Sequence, residues 1–138
     1  MNVLVPIDES DPAMEAVEHV IREYPDASVT LLHVIEPNTY LYGDGAAYAY
    51  DSLIEPRRDA AENLFDAARE SAGERDRPFE TETVVGIPAR KIVEFAGDGE
   101  FDHIVIGSHG RSGPTRVLLG SVAERVLRRA PCPVTIVR

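Results

Sequence analysis

The sequence predicts an α/β fold, an open sheet of five parallel strands with helices on both faces, and three observations support it. Apolar runs rich in branched residues recur five times along the 138 residues. Four segments between them place their apolar residues at helical spacing. The stretch from Gly107 to Ser121, "GSHGRSGPTRVLLGS", follows the fourth run and leads into the last helical pattern with glycines at 107, 110 and 120. Strands that alternate with helices pair in parallel, since each helix carries the chain back to the end of the sheet where the next strand must start. Each crossover is expected to be right-handed.

"NVLVPI" is the first strand. In "DPAMEAVEHVIREY", Asp11 reads as a cap and Pro12 as the first helical residue, with apolar positions at 13, 16, 17, 20, 21 and 24. Pro25 and Asp26 end that helix, and "SVTLLHVI" is a second buried strand. "RDAAENLFDAARESA" is a helix with the stripe Ala61, Leu64, Phe65, Ala68 and Ala72, closed by Gly73. "FETETVV" alternates as a strand exposed on one face does. "PARKIVEFA" is a short helix with Ala89, Ile92, Val93 and Ala96 on one side. "FDHIVI", "VAERVLRRA" and "CPVTIVR" complete the series as strand, helix and terminal strand. The long connection over 36–54, "EPNTYLYGDGAAYAYDSLI", is expected to act as a partly mobile lid.

At this length one domain, residues 1–138, with one ordinary core is expected. The opening "NVLVPI" has no basic leader, and the longest apolar run, "VTLLHVI", is broken by Thr30 and His33. Neither a secretion signal nor a membrane span is expected, and a cytoplasmic location follows as the expectation. Cys132 is the single cysteine, which excludes an internal disulfide and a four-cysteine metal site. Between Pro131 and Pro133 it reads as a small buried apolar residue.

The chain carries 24 acidic and 14 basic side chains, a net charge of −10, with Lys91 its sole lysine. Such a surface repels nucleic acid and anionic membranes. It also suits a cytoplasm rich in salt, so a halophile origin is a further expectation. The charge is uneven: residues 107–138 hold six arginines against Glu124, net +5, whereas residues 1–106 hold 8 basic and 23 acidic groups, net −15. The basic end coincides with the glycine loop and would draw a small anion. Arg125, Arg128 and Arg129 share a helix face and read as a solvent face, while Arg111 and Arg116 lie within the loop.

The loop is where function is legible. Glycine lets other groups approach the backbone, so N–H groups can face an anion, and a helix starting near Ser121 adds unpaired donors and the positive end of its dipole. Together these describe a phosphate cradle. In open α/β sheets ligands bind beyond the carboxyl ends of the strands, where strand order reverses, and a loop after the fourth strand suits that position. A P-loop is excluded because Lys91 lies in no glycine loop, and no G-x-G-x-x-G follows the first strand.

The spacing G-x2-G-x9-G-[ST], filled by Gly107, Gly110, Gly120 and Ser121, resembles the ATP-binding signature of the universal stress protein family. "VLVPIDES", "LLHV", "GIPARKIVEFA", "IVIGSHGRSG" and "PCPVTIVR" extend the resemblance over most of the chain. It implies a Rossmann-like sheet of order 3-2-1-4-5 with ATP across the ends of strands one and four. It also implies adenine and ribose contacts from Pro6, Asp8 and Val34, and phosphate and ribose contacts from Gly107, His109, Gly110, Gly120, Ser121 and Val122. Mg2+ or Mn2+ would be held mostly by the phosphates. In the implied order "PVTIVR" lies at a sheet edge, which invites a homodimer through the C-terminal strand.

Asp8 also reads as a turn residue, and Ser108 and His109 as shapers of the loop. His33 and His19 read as structural or solvated, and His103 has no partner pattern. No residue emerges that would orient a nucleophile, so the expected function is an ATP-binding regulatory stress-response protein with slow or no hydrolysis. A nucleotide-independent, dimeric interaction module of the same fold is the alternative. An adenylating enzyme ranks last, because "PIDES" matches neither "SGGxDS" nor "HxGH".

Overall fold

The computed structural model describes residues 1–37, 46–73, 78–109 and 119–138, with only the backbone course for 46–53. Five strands and four helices alternate: β1 (Asn2–Pro6), α1 (Asp11–Glu23), β2 (Ser28–Ile35), α2 (Ala46–Ser71), β3 (Glu80–Val85), α3 (Pro88–Asp98), β4 (His103–Gly107), α4 (Ser121–Arg129) and β5 (Val134–Val137). The strands form one sheet in the order β3-β2-β1-β4-β5, and every pairing is parallel. The expected fold and strand order are both observed.

Side chains of a strand alternate between the two faces, so each inner strand feeds two cores. Val3, Val5, Val29, Leu31 and Val105 pack with Ala16, Val17 and Val20 of α1 and with Ala61, Leu64, Phe65 and Ala68 of α2. Leu4, Leu32, Ile104 and Ile106 pack with Ala89, Ile92 and Ala96 of α3 and with Val126 of α4. Every residue of the expected α2 stripe is buried. On α3, Phe95 rather than Val93 joins the core layer, with its ring stacked on Phe101 at 5.8 Å between centroids.

The structure corrects three further expectations. Helix α1 is capped by Ser10, not Asp11: Ser10 is extended at φ −75°, ψ 152°, and its side chain accepts from the Ala13 N–H. Asp11 is instead the first helical residue, where its charge faces the positive end of the helix dipole. The connection over 36–54 is shorter than expected, since helix α2 begins at Ala46 and holds Pro56 inside it. Proline reads from sequence as a helix boundary, whereas the alanines at 46, 47 and 49 are the strongest helix formers. The part of the expected lid from 38 to 45 lies outside the described residues. Cys132 is half-buried against the α3/α4 core rather than fully enclosed, and burial, followed by the Asp102 carboxylate, pushes its thiol pKa up.

Candidate functional site

Strand order reverses between β1 and β4. The chain leaves β1 toward β2 on one side and β4 toward β5 on the other, so the switch point, the place where open α/β sheets hold ligands, lies at the carboxyl ends of these two strands. Pro6 is the last residue of β1 and is buried. Asp8 follows two residues later, half-buried, and its Oδ1 accepts from the Ser10 N–H at 2.8 Å. This is the turn role foreseen as one reading of Asp8. It uses one acceptor site of a carboxylate that has several, so the ribose role remains chemically open.

Register explains the position of Val34. Strand β1 pairs with β2 only as far as Pro6 opposite Leu32, whereas β2 pairs with β3 as far as Ile35 opposite Val85. The Leu32 carbonyl accepts from Ile7 N–H at 2.8 Å on the β1 side, and the Ile35 carbonyl accepts from Gly86 N–H at 2.9 Å on the β3 side. Backbone groups alternate along a parallel strand. Those of Val34 therefore point to the β1 side, beyond the residue at which β1 leaves the sheet. An N–H and a C=O in that position match the edge of a planar base.

The opposite lip is built by β4 and α4. Gly107 is the last residue of β4, and a Cβ there would lie 2.8 Å from Pro12 C and 3.0 Å from Ala13 N. The absent side chain thus makes room for the first turn of α1, which seats that helix against the strand. Ser108 is buried; its N–H donates to Val137 O at 2.6 Å and its carbonyl accepts from Gly120 N–H at 2.7 Å. Ser108 Oγ lies 3.2 Å from His109 Nδ1, and Ser10 Oγ donates to His109 O at 3.5 Å, so the two exits touch. Through its carbonyl, Ser108 ties the β4 exit to Gly120 at the start of α4.

Gly120 is the N-cap of α4, with no side-chain cap bond. A Cβ on it would stand 3.0 Å from His109 Cα and 3.2 Å from Ser108 O. The start of α4 is therefore drawn tightly against the β4 exit. Ser121 and Val122 form its first turn, whose N–H groups have no partner within the helix and carry the positive end of the dipole. Gly110, Arg111 and Arg116 lie outside the described residues. Arg125, Arg128 and Arg129 are exposed, and Arg128 bonds Glu124 at 2.7 Å, the solvent-face reading.

One partner was not legible in the sequence. His33 Nδ1 lies 2.8 Å from the Ile7 carbonyl, between Pro6 and Asp8. A carbonyl oxygen only accepts, so Nδ1 carries the hydrogen. His33 sits within an apolar run, and only the β1–β2 register reveals what it meets. Lastly, no described helix is long and apolar enough to cross a membrane.

A parallel α/β sheet whose strand order reverses between β1 and β4, with a glycine-tightened helix start beside the β4 exit, is a doubly wound fold of the kind that holds ligands at its switch point. The universal stress protein family model matches residues 1–138. Universal stress protein MJ0531 of Methanocaldococcus jannaschii is 35% identical over 139 residues, covering 99% of this chain and 81% of that protein. Among solved structures, universal stress protein UspA from Lactobacillus plantarum superposes with TM-score 0.88 at 29% identity, covering 100% of this chain and 97% of the other. A universal stress protein in complex with cAMP gives TM-score 0.72 at 26% identity, with 100% and 97% covered. The chain belongs to the universal stress protein family.

Proposed function

We propose that this chain is a regulatory stress-response protein that binds ATP in the switch-point crevice and hydrolyses it slowly or not at all. The observation that carries this reading is the Val34 backbone edge extending past the end of β1, at the same end of the sheet as the start of α4. A base pairs with the Val34 edge, Asp8 accepts from ribose hydroxyls, and phosphate oxygens take the N–H groups of Ser121 and Val122 together with the loop carrying His109 and Gly110, beside Gly120, whose own N–H is held by the Ser108 carbonyl and whose missing side chain lets the phosphates approach. Pro6 and Gly107 set the floor at the two strand ends. The related structure holding cAMP, an adenine nucleotide, supports the ligand class. Mg2+ or Mn2+ would be carried in through the phosphates rather than by protein side chains.

The reading includes a homodimer formed by β5, which is an edge strand of the sheet. It also includes a cytoplasmic location and, from the net charge of −10, a salt-rich host. Calorimetric titration with ATP, alongside mass spectrometry of nucleotide released from the purified protein, tests the central part. Saturable binding that Gly110→Val abolishes is expected. An absence of binding at millimolar ATP would leave the nucleotide-independent interaction module as the better account. Turnover near ~10 s⁻¹, the scale of dedicated enzymes, would contradict the regulatory reading.

A further inference from the structure

The last bond of the β1–β2 ladder joins Ile7 N–H to Leu32 O. In a parallel pair the next bond in the series would run from Val34 N–H to Ile7 O. That carbonyl is instead engaged by the side chain of His33, at 2.8 Å. The imidazole hydrogen bonds where the ladder would have continued, at the point where β1 turns toward Asp8 and the Ser10 cap of α1.

We propose that His33 is a positioning residue: by donating Nδ1–H to the Ile7 carbonyl it ends the β1–β2 ladder, keeps the Val34 edge open to the adenine base, and fixes the turn that presents Asp8. The proposal rests on the nucleotide reading of the crevice. It assigns base affinity to a side chain that does not touch the base. A carbonyl taken up by a side-chain donor has less to gain from a second, backbone donor. Truncating the donor would therefore let the ladder close by one more bond and cover the base edge.

Two substitutions separate positioning from packing. His33→Leu removes the donor while keeping an apolar side chain. His33→Asn keeps a donor, since its amide nitrogen is attached to Cγ as Nδ1 is in histidine. Isothermal titration with AMP as the probe should show at least ~10-fold weaker binding for His33→Leu and a loss within ~3-fold for His33→Asn, with urea unfolding reporting the fraction folded. Equal affinity of folded His33→Leu and wild type would overturn the proposal.

A second readout needs no nucleotide. The Val34 amide should exchange with solvent faster than that of Leu32 in the wild-type protein, and its exchange should slow at least ~10-fold in His33→Leu. An already protected Val34 amide in the wild type, or one that does not respond to the substitution, contradicts the ladder-ending role. Should the wild type bind no adenine nucleotide, the reading of the crevice fails, and the exchange measurement alone decides the role of His33 at the ladder end.

Discussion

The two ends of the sheet are made of the same strands but are finished in opposite ways. At the amino end, loops and rings close over the strand starts. Asn2 N–H donates to Asp102 Oδ2 at 2.7 Å, Asp102 N–H returns to Asn2 O at 2.8 Å, and Ser28 N–H reaches Met1 O at 2.9 Å. The Tyr24 ring lies 5.4 Å from that of His103, whose Nε2 is 2.7 Å from Thr135 Oγ1. At the carboxyl end the strands stop at different heights, and the exits of β1 and β4 meet where Ser10 Oγ donates to His109 O and where Gly107 lies against the backbone of Pro12 and Ala13. The difference teaches that one end is closed by hydrogen bonds between strand starts and loops, while the other leaves the Val34 backbone edge and the first turn of α4 for the proposed nucleotide.

Glycine substitutions test this division with the largest expected effect. Gly107→Ala places a Cβ against the backbone of Pro12 at 2.8 Å, where a flexible side chain cannot yield. A loss of about 1–3 kcal/mol in urea unfolding is expected from the forced shift of α1 against β4. Gly97→Ala, inside α3, meets nothing nearer than Pro131 Cγ at 3.9 Å. A gain of about 0.5–1 kcal/mol is expected there, because alanine costs less conformational entropy in a helix than glycine. Equal effects at the two positions would erase the contrast.

Gly120→Ala sharpens the comparison further. Its Cβ meets His109 Cα at 3.0 Å, so the start of α4 must move by a few tenths of an ångström away from the β4 exit. Binding of ATP, measured by calorimetry, should weaken roughly 10-fold, equivalent to about 1.4 kcal/mol, while the melting temperature changes little. A protein that binds as well as wild type would show that α4 does not contribute the phosphate donors.

The smallest effect is expected at the amino end. Burial, followed by the charge of His19, lowers the His103 pKa below its ordinary 6.5. The folded state then binds fewer protons than the unfolded state in the window just below 6.5. Stability rises with pH across that window, and acidification through it weakens the fold until the folded-state pKa is passed. Urea midpoints from neutral to mildly acid pH should fall less steeply in His103→Gln than in wild type. Parallel slopes would show that His103 titrates as it does unfolded.

Much of the fold was legible because burial on both faces leaves apolar runs, and helix stripes such as Ala61, Leu64, Phe65 and Ala68 repeat at a different period. Strand order was not in those periods; it came with the resemblance carried by the glycine spacing. Local ends were harder. Ser10 and Asp11 are both good caps, and only the extended backbone of Ser10 decides between them. Gly107 reads in sequence as room for phosphate, yet the group that fills its space is Pro12, a long-range neighbour. Val34 and His33 become informative only when register shows that β1 ends before β2 does.

The central claim is that ligand chemistry belongs to the carboxyl end of the sheet alone, and amide shifts during titration of the ¹⁵N-labelled protein with ATP test it most directly. Saturable shifts are predicted at Asp8, Val34, Ser108, Gly120 and Ser121, with Asn2, Tyr24 and His103 unmoved. Shifts concentrated at Asn2, Tyr24 and His103, or none at saturating ATP, would contradict it.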